Sequence, residues 1–264
     1  KYFELLKKTF TEGGKSKIRL LLERFSDHVE DNLLISDSGA KETNRVVKQK
    51  LGKLDEEPFF LFLNYTEPHI DYKPPFPYSH KFTDGKFRWK SLLDRSREDM
   101  KYYLNSDVEP PIDHLEDWKS LYDGELRYLD SRLEELYSWI KERYPDTVFI
   151  FTSDHGEYFY EHERIAHWSG IHDQTTKVPL IEVFPEDVGH EVSVLVETRD
   201  LKEHILEVSE GNFQPMQGKD FAFSEDFGRK KEESIEHDIS EEDAEKLARS
   251  CIKIRSDENE FLWY

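Results

Sequence analysis

Two short, almost unbroken apolar runs separated by a long amphipathic segment set the tightest limit on the fold. The first run is Pro58-Phe59-Phe60-Leu61-Phe62-Leu63-Asn64 and the second is Thr147-Val148-Phe149-Ile150-Phe151-Thr152-Ser153. Both are short and rich in aromatic or β-branched residues, which suits a strand buried on both faces. Between them Leu115, Trp118, Tyr122, Leu126, Leu129, Leu133, Leu136 and Ile140 recur at three- and four-residue steps. That spacing places them on one face of a long helix, which Pro145-Asp146 ends. Strand, long helix, strand predicts a βαβ crossover. A third strand is expected between Pro179 and Pro185. The predicted class is α/β: a mixed, mostly parallel sheet sandwiched between helices.

The flanking regions read differently. Residues 1–10 and 17–25 predict short helical pieces around Gly13-Gly14. Asp37 or Ser38 can cap a helix that runs to about Leu54. Residues 66–111 are rich in proline and aromatics and predict a long loop excursion with a short helix near 92–103. Further on, residues 200–208 predict a helix, and 220–223 and 251–264 predict short strands. The acidic run 230–245 reads as a solvated helix or loop. The expected division is an α/β core over residues 1–211, incomplete at its N-terminal side, and a small α+β subdomain over 212–264.

Charge and composition exclude several functions. Acids outnumber bases 57 to 37, for a net charge of −20. A duplex backbone or an anionic membrane would be repelled, so neither nucleic acid nor membrane is an expected partner. Aromatics reach 14%, which argues for a packed core. Cys251 is the one cysteine, so neither an intrachain disulfide nor a cysteine-rich zinc site can form. No apolar run approaches a membrane span, and a cytoplasmic location is expected.

In open α/β sheets ligands bind beyond the carboxyl ends of strands. There lie His69 after the first run, Asp154-His155-Gly156 after the second, His167 further on, and Lys177 before the third. A carboxylate and an imidazole at a strand end can share one divalent cation, with Gly156 allowing a tight turn. The plainer reading of Asp154 and His155 is a helix-capping carboxylate and a surface histidine. Singly, His69 and His167 also read as loop histidines, and Lys177 as a lysine at the end of a loop.

Taken in order, four stretches resemble the sulfatases of the alkaline phosphatase superfamily. They are PFFLFLNYTEPHIDY at 58–72, YDGELRYLDSRL at 122–133, VFIFTSDHGE at 148–157, and 162–181 ending in TKVPLI. The resemblance implies a hydrolase that cleaves sulfate esters of small anionic substrates with a divalent metal, calcium first and manganese or zinc as alternatives. It assigns Asp154 and His155 to the metal and His69 to the active-site oxygens. His167 falls within one residue of the position where the family commonly places a lysine, and Lys177 matches the basic residue before the Val-Pro pair, a substrate-side position. Such chemistry suits a focused positive pocket in an acidic protein.

The family's Cys/Ser-x-Pro-x-Arg nucleophile motif does not occur in these 264 residues, and Cys251 lies outside any such context. The early pair of metal-binding aspartates has no counterpart either. The expectation is a chain that begins partway through a sulfatase-like protein, binds metal weakly or not at all, and does not turn over alone. A phosphate or phosphonate monoester hydrolase, or a phosphoglycerol-type transferase, is the alternative enzyme. A non-catalytic binding protein on the same fold is the alternative outside catalysis.

Overall fold

The computed structural model describes residues 37–54, 58–70, 72–82, 111–167, 170–185, 193–228, 245, 248–256 and 260–263. The helices expected at 1–10, 17–25 and 92–103, and the acidic run 230–244, lie outside the described residues. The chain divides into two units, Lys1–Leu93 with Ser120–Glu134, and Asp94–Lys119 with Glu135–Tyr264.

In the first unit, α1 (Ala40–Leu51) buries Ala40, Asn44, Val47 and Leu51, a single helical stripe. Its opening N–H groups need acceptors from outside the helix. Asp37 Oδ2 accepts from Lys41 N at 2.7 Å, and Glu67 Oε1 accepts from Ala40 N at 3.1 Å. The buried Asn44 amide is satisfied on both sides. It donates to Arg132 O at 2.7 Å and accepts from Tyr65 Oη at 2.7 Å.

The long helix is α2 (Ile112–Arg143). Its middle, in the first unit, buries Leu121, Glu125 and Tyr128, whereas Leu126 is exposed. Glu125 Oε1 accepts from Lys73 N at 2.6 Å, which is why a carboxylate stands in the buried stripe. Gly124 is forced by proximity: a Cβ there would lie 2.9 Å from both Pro74 Cγ and Tyr78 O. Tyr128 donates its hydroxyl to Asp37, and burial, then that carboxylate, push its pKa upward.

In the second unit, the C-terminal turns of α2 bury Leu136 and Ile140, and Tyr137 lies against Phe149 with ring centroids 4.7 Å apart. β1 (Phe149–Thr152) pairs antiparallel with β4 (Leu180–Val183), in register from Phe149↔Val183 to Thr152↔Leu180. Between them come the hairpin β2 (Tyr158–Phe159) and β3 (Ile165–Ala166), then the one-turn helix α3 (Asp173–Thr176). Helix α4 (Leu201–Ser209) follows, and its buried His204 pairs with Glu182 of β4. A three-stranded antiparallel sheet closes the chain, β5 (Ala222–Asp226), β6 (Cys251–Arg255) and β7 (Glu260–Trp263). Its edge is tied down by Glu197, which accepts from Arg199 at 2.7 Å, Lys219 at 2.7 Å and Phe223 N at 2.8 Å.

The mixed α/β content matches expectation, but the parallel sheet does not. Every ladder among the described residues is antiparallel. The chain between β1 and β4 holds a hairpin and a single helical turn, with no long crossover helix to return it in the same direction. Residues 58–64 form no helix and join no ladder among the described residues, and Phe60 and Phe62 are 73% and 80% exposed. The strand buried on both faces that their apolar character predicts is therefore not seen among the described residues. Among the described residues no helix is long and apolar enough to cross a membrane.

Candidate active site

His69 stands in the first unit, exposed, directly after the Glu67-Pro68 step, and its Nδ1 lies against the Ile70 carbonyl. The other four expected residues stand in the second unit. Three of them come together in the turn after β1 and the segment after β3. The fourth, Lys177, is exposed just beyond α3, with its backbone N–H donating to Asp173 O at 2.9 Å.

The turn after β1 is built by its own backbone. Ser153 Oγ donates to His155 O at 2.7 Å, and Asp154 Oδ1 accepts from His155 N at 3.0 Å. The element that follows is strand β2, so Asp154 has no helix to cap. His155 Nδ1 is 2.9 Å from Gly156 O, an acceptor that assigns the ring proton to Nδ1. That tautomer leaves Nε2 as the donor atom, 3.8 Å from Asp154 Oδ2. With bonds of about 2.1 Å, neighbouring ligands of one tetrahedral cation lie about 3.4 Å apart. A small side-chain rotation would therefore bring both onto the same ion, and the pair fits as two ligands. No third donor completes it: among the described residues no three His, Cys, Asp or Glu side chains converge into a metal-binding group.

Gly156 is dictated by crowding. A Cβ there would sit 2.0 Å from Gln174 O, and its N–H donates to Thr175 O at 2.8 Å. The turn that carries Asp154 and His155 is thus seated directly on α3.

His167 stacks on His155, with centroids 4.0 Å apart. Its Nδ1 is 3.1 Å from Glu157 Oε1, whose side chain is only 5% exposed. A buried carboxylate on one imidazole nitrogen fixes the tautomer and directs proton transfer to the other. Glu157 carries no role in the sequence reading. The signal that would have found it is its place three residues after Asp154, one strand step from the site.

A second polar cluster lies beneath. Tyr158 is fully buried, and its hydroxyl is 2.8 Å from His172 Nδ1. His162 stacks on His172 with centroids 3.8 Å apart. Burial first, then the charges of His162, Arg164 and Lys253, hold the His172 pKa below the ordinary imidazole range. The hairpin above is strained: Tyr160, His162, Glu163 and Ala166 all have positive φ. Asp173 accepts from Lys253 Nζ at 2.5 Å and also from Arg255. Burial raises its pKa, but those hydrogen bonds and charges outweigh it and lower the value to about 2. Cys251 is buried on β6, where burial and then Asp226 push its thiol upward, against thiolate chemistry.

Known proteins share parts of this sequence and fold. The Sulfatase family model matches residues 23–211. The uncharacterized sulfatase YidJ of Escherichia coli (strain K12) is 25% identical over 154 residues, which cover 55% of this chain and 30% of that protein. Iduronate 2-sulfatase of Homo sapiens is 30% identical over 154 residues, 50% of this chain and 28% of that protein. Among solved structures, a phosphonate monoester hydrolase of Agrobacterium radiobacter superposes with a TM-score of 0.62 at 20% identity, covering 86% of this chain and 52% of that one. The chain thus spans about half the length of such a relative. With well over half of its residues inside the family match, the chain belongs to the sulfatase family.

Proposed function

We propose that this protein contributes to hydrolysis of sulfate esters, with Asp154 and His155 holding a divalent cation and with His69, His167 and Lys177 on the substrate side. The observation that carries the reading is the Asp154–His155 turn, with one imidazole nitrogen satisfied by the backbone and the other turned toward the carboxylate. A bound cation, calcium first and manganese or zinc as alternatives, would polarise the ester oxygens and offset the substrate's negative charge.

The chain's own residues set the rest. Glu157 holds His167 through Nδ1, so proton delivery to a departing oxygen runs through Nε2. His69 would bind the ester's anionic oxygens. Lys177, exposed beyond α3, adds positive charge at the rim rather than at the reacting atoms. The protein's net charge of −20 repels anions at long range, which local positive charge at the site must offset. A nucleophile is not assigned among these residues.

A second reading is phosphate or phosphonate ester hydrolysis. Two of the solved relatives are phosphonate monoester hydrolases, from Agrobacterium radiobacter and Silicibacter pomeroyi. An Asp-His pair on a divalent cation serves either anion.

The test is a histidine-resolved NMR titration of the chain with Mn²⁺, then with p-nitrophenyl sulfate and p-nitrophenyl phosphate. Paramagnetic broadening of the His155 ring at millimolar Mn²⁺ is expected, weakened about ten-fold or more in Asp154→Asn. The sulfate ester should then perturb His167 and His69 more than the phosphate ester. An unbroadened His155 ring sinks the reading.

A further inference from the structure

We propose that Lys253, with Arg255 beside it, is a positioning residue for the Asp154–His155 turn, which makes the C-terminal sheet part of the site. The proposal rests on the reading of that dipeptide as a cation-binding pair. Lys253 lies on β6, outside the 23–211 stretch that the family model matches. It is 2% exposed, an unusual place for an ammonium group.

A buried ammonium is costly unless its partners hold position. Here Nζ is 2.5 Å from Asp173 Oδ1 and 3.3 Å from Thr176 Oγ1, the first and last residues of α3. Arg255 reaches the same Asp173 oxygen. Between those two anchors, Thr175 O accepts Gly156 N at 2.8 Å. Gln174 O occupies the space where a Gly156 side chain would begin. Gly156 in turn fixes His155, whose Nδ1 is 2.9 Å from the Gly156 carbonyl. Each link is a direct contact, and three of them lead from β6 to the imidazole. A second tie runs from the same sheet to the segment before α3, with Gly170 N donating to Asp226 Oδ2 of β5 at 2.8 Å.

Lys253 also pairs with Glu260 of β7 at 3.0 Å. A lysine that serves the sheet alone would depend on that partner and be indifferent to Asp173. The two roles separate in a hydrogen-exchange experiment on the full chain.

In Lys253→Met, the Gly156 amide is expected to exchange about ten-fold faster or more, while the β1–β4 ladder amides stay within about two-fold. Glu260→Gln, which breaks the in-sheet pair, should leave Gly156 within about two-fold. An unchanged Gly156 rate in Lys253→Met, or equal acceleration at Gly156 and throughout the β1–β4 ladder, overturns the proposal. If Lys253→Met does not fold, Arg255→Gln decides. A rise of about three-fold at Gly156 is expected, and an unchanged rate refutes the clamp. Mn²⁺ broadening of His155 is recorded alongside. Its absence from the unmodified chain would sink the cation reading, while the exchange rates still judge the clamp by themselves.

Discussion

Gly156 has almost no freedom to change. A methyl group placed on it would overlap the Gln174 carbonyl at 2.0 Å, and the obstacle is backbone rather than a mobile side chain. Gly156→Ala should therefore cost about 2 kcal/mol or more, seen as a lower urea midpoint with unchanged slope. His172 gives a second prediction. Its folded pKa lies below the ordinary value of 6.5, so the unfolded chain takes up the proton first. The stability this provides is complete above about pH 6.5 and is lost as pH falls through the folded pKa. Urea midpoints measured downward from pH 7.5 should decline, and His172→Gln should flatten that decline. A decline of equal steepness in the variant would place its origin elsewhere. Neither residue announces these roles in the sequence, because Gly156 depends on the Gln174 carbonyl and His172 on Tyr158, each distant along the chain.

At the scale of elements, α2 was the most legible feature, and it still shows where periodicity stops. Three- and four-residue spacing located the helix. It also placed Leu126 on the apolar face, yet Leu126 is 40% exposed and Glu125 is 1% exposed. A helical pattern weighs a residue by its type, whereas burial of Glu125 is decided by the Lys73 backbone N–H that it accepts. Leu136→Ala should cost about 2–4 kcal/mol and Leu126→Ala less than about 1 kcal/mol, read from thermal or urea unfolding. Equal losses would mean that the helix presents a different face. The run at 58–64 shows the complementary limit. Its residue types favour a strand, but strand pairing is a property of two segments and cannot be read from one. Of the candidate site, Asp154, His155 and His167 stand out in the sequence as residue types at strand ends. Glu157, Asp173 and Lys253 were not, since a carboxylate or lysine in a charged sequence looks like any other until its burial is known.

At the scale of the molecule, two carboxylates tied to the C-terminal sheet have lowered pKa values. Asp173 is lowered from 3.8 to about 2, and Glu197 is lowered as well: burial opposes ionisation there, and bonds from Lys219, the Phe223 N–H and Arg199 outweigh it. Depressed carboxylate pKa values stabilise the fold above their unfolded values and lose that stabilisation as pH falls through the folded ones. The window for Asp173 thus runs from about pH 4 down to about pH 2. Because its side chain is 38% exposed, solvent screening reduces the contribution to about 1 kcal/mol. Chemical unfolding between pH 5 and pH 2, followed by circular dichroism, should show this loss, and Asp173→Asn should show less of it.

The clamp from β6 to α3 also bears on where such a protein can be cut. A shortened version ending at residue 211, the limit of the family match, would keep Asp154, His155 and Asp173 together. It would discard both cations that neutralise Asp173 and the Asp226 carboxylate that receives the Gly170 N–H. The boundary that sequence similarity recommends for expression therefore separates a charge from its counter-charges. A stable, faithful recombinant piece should extend through residue 263, so that β7 still flanks β6.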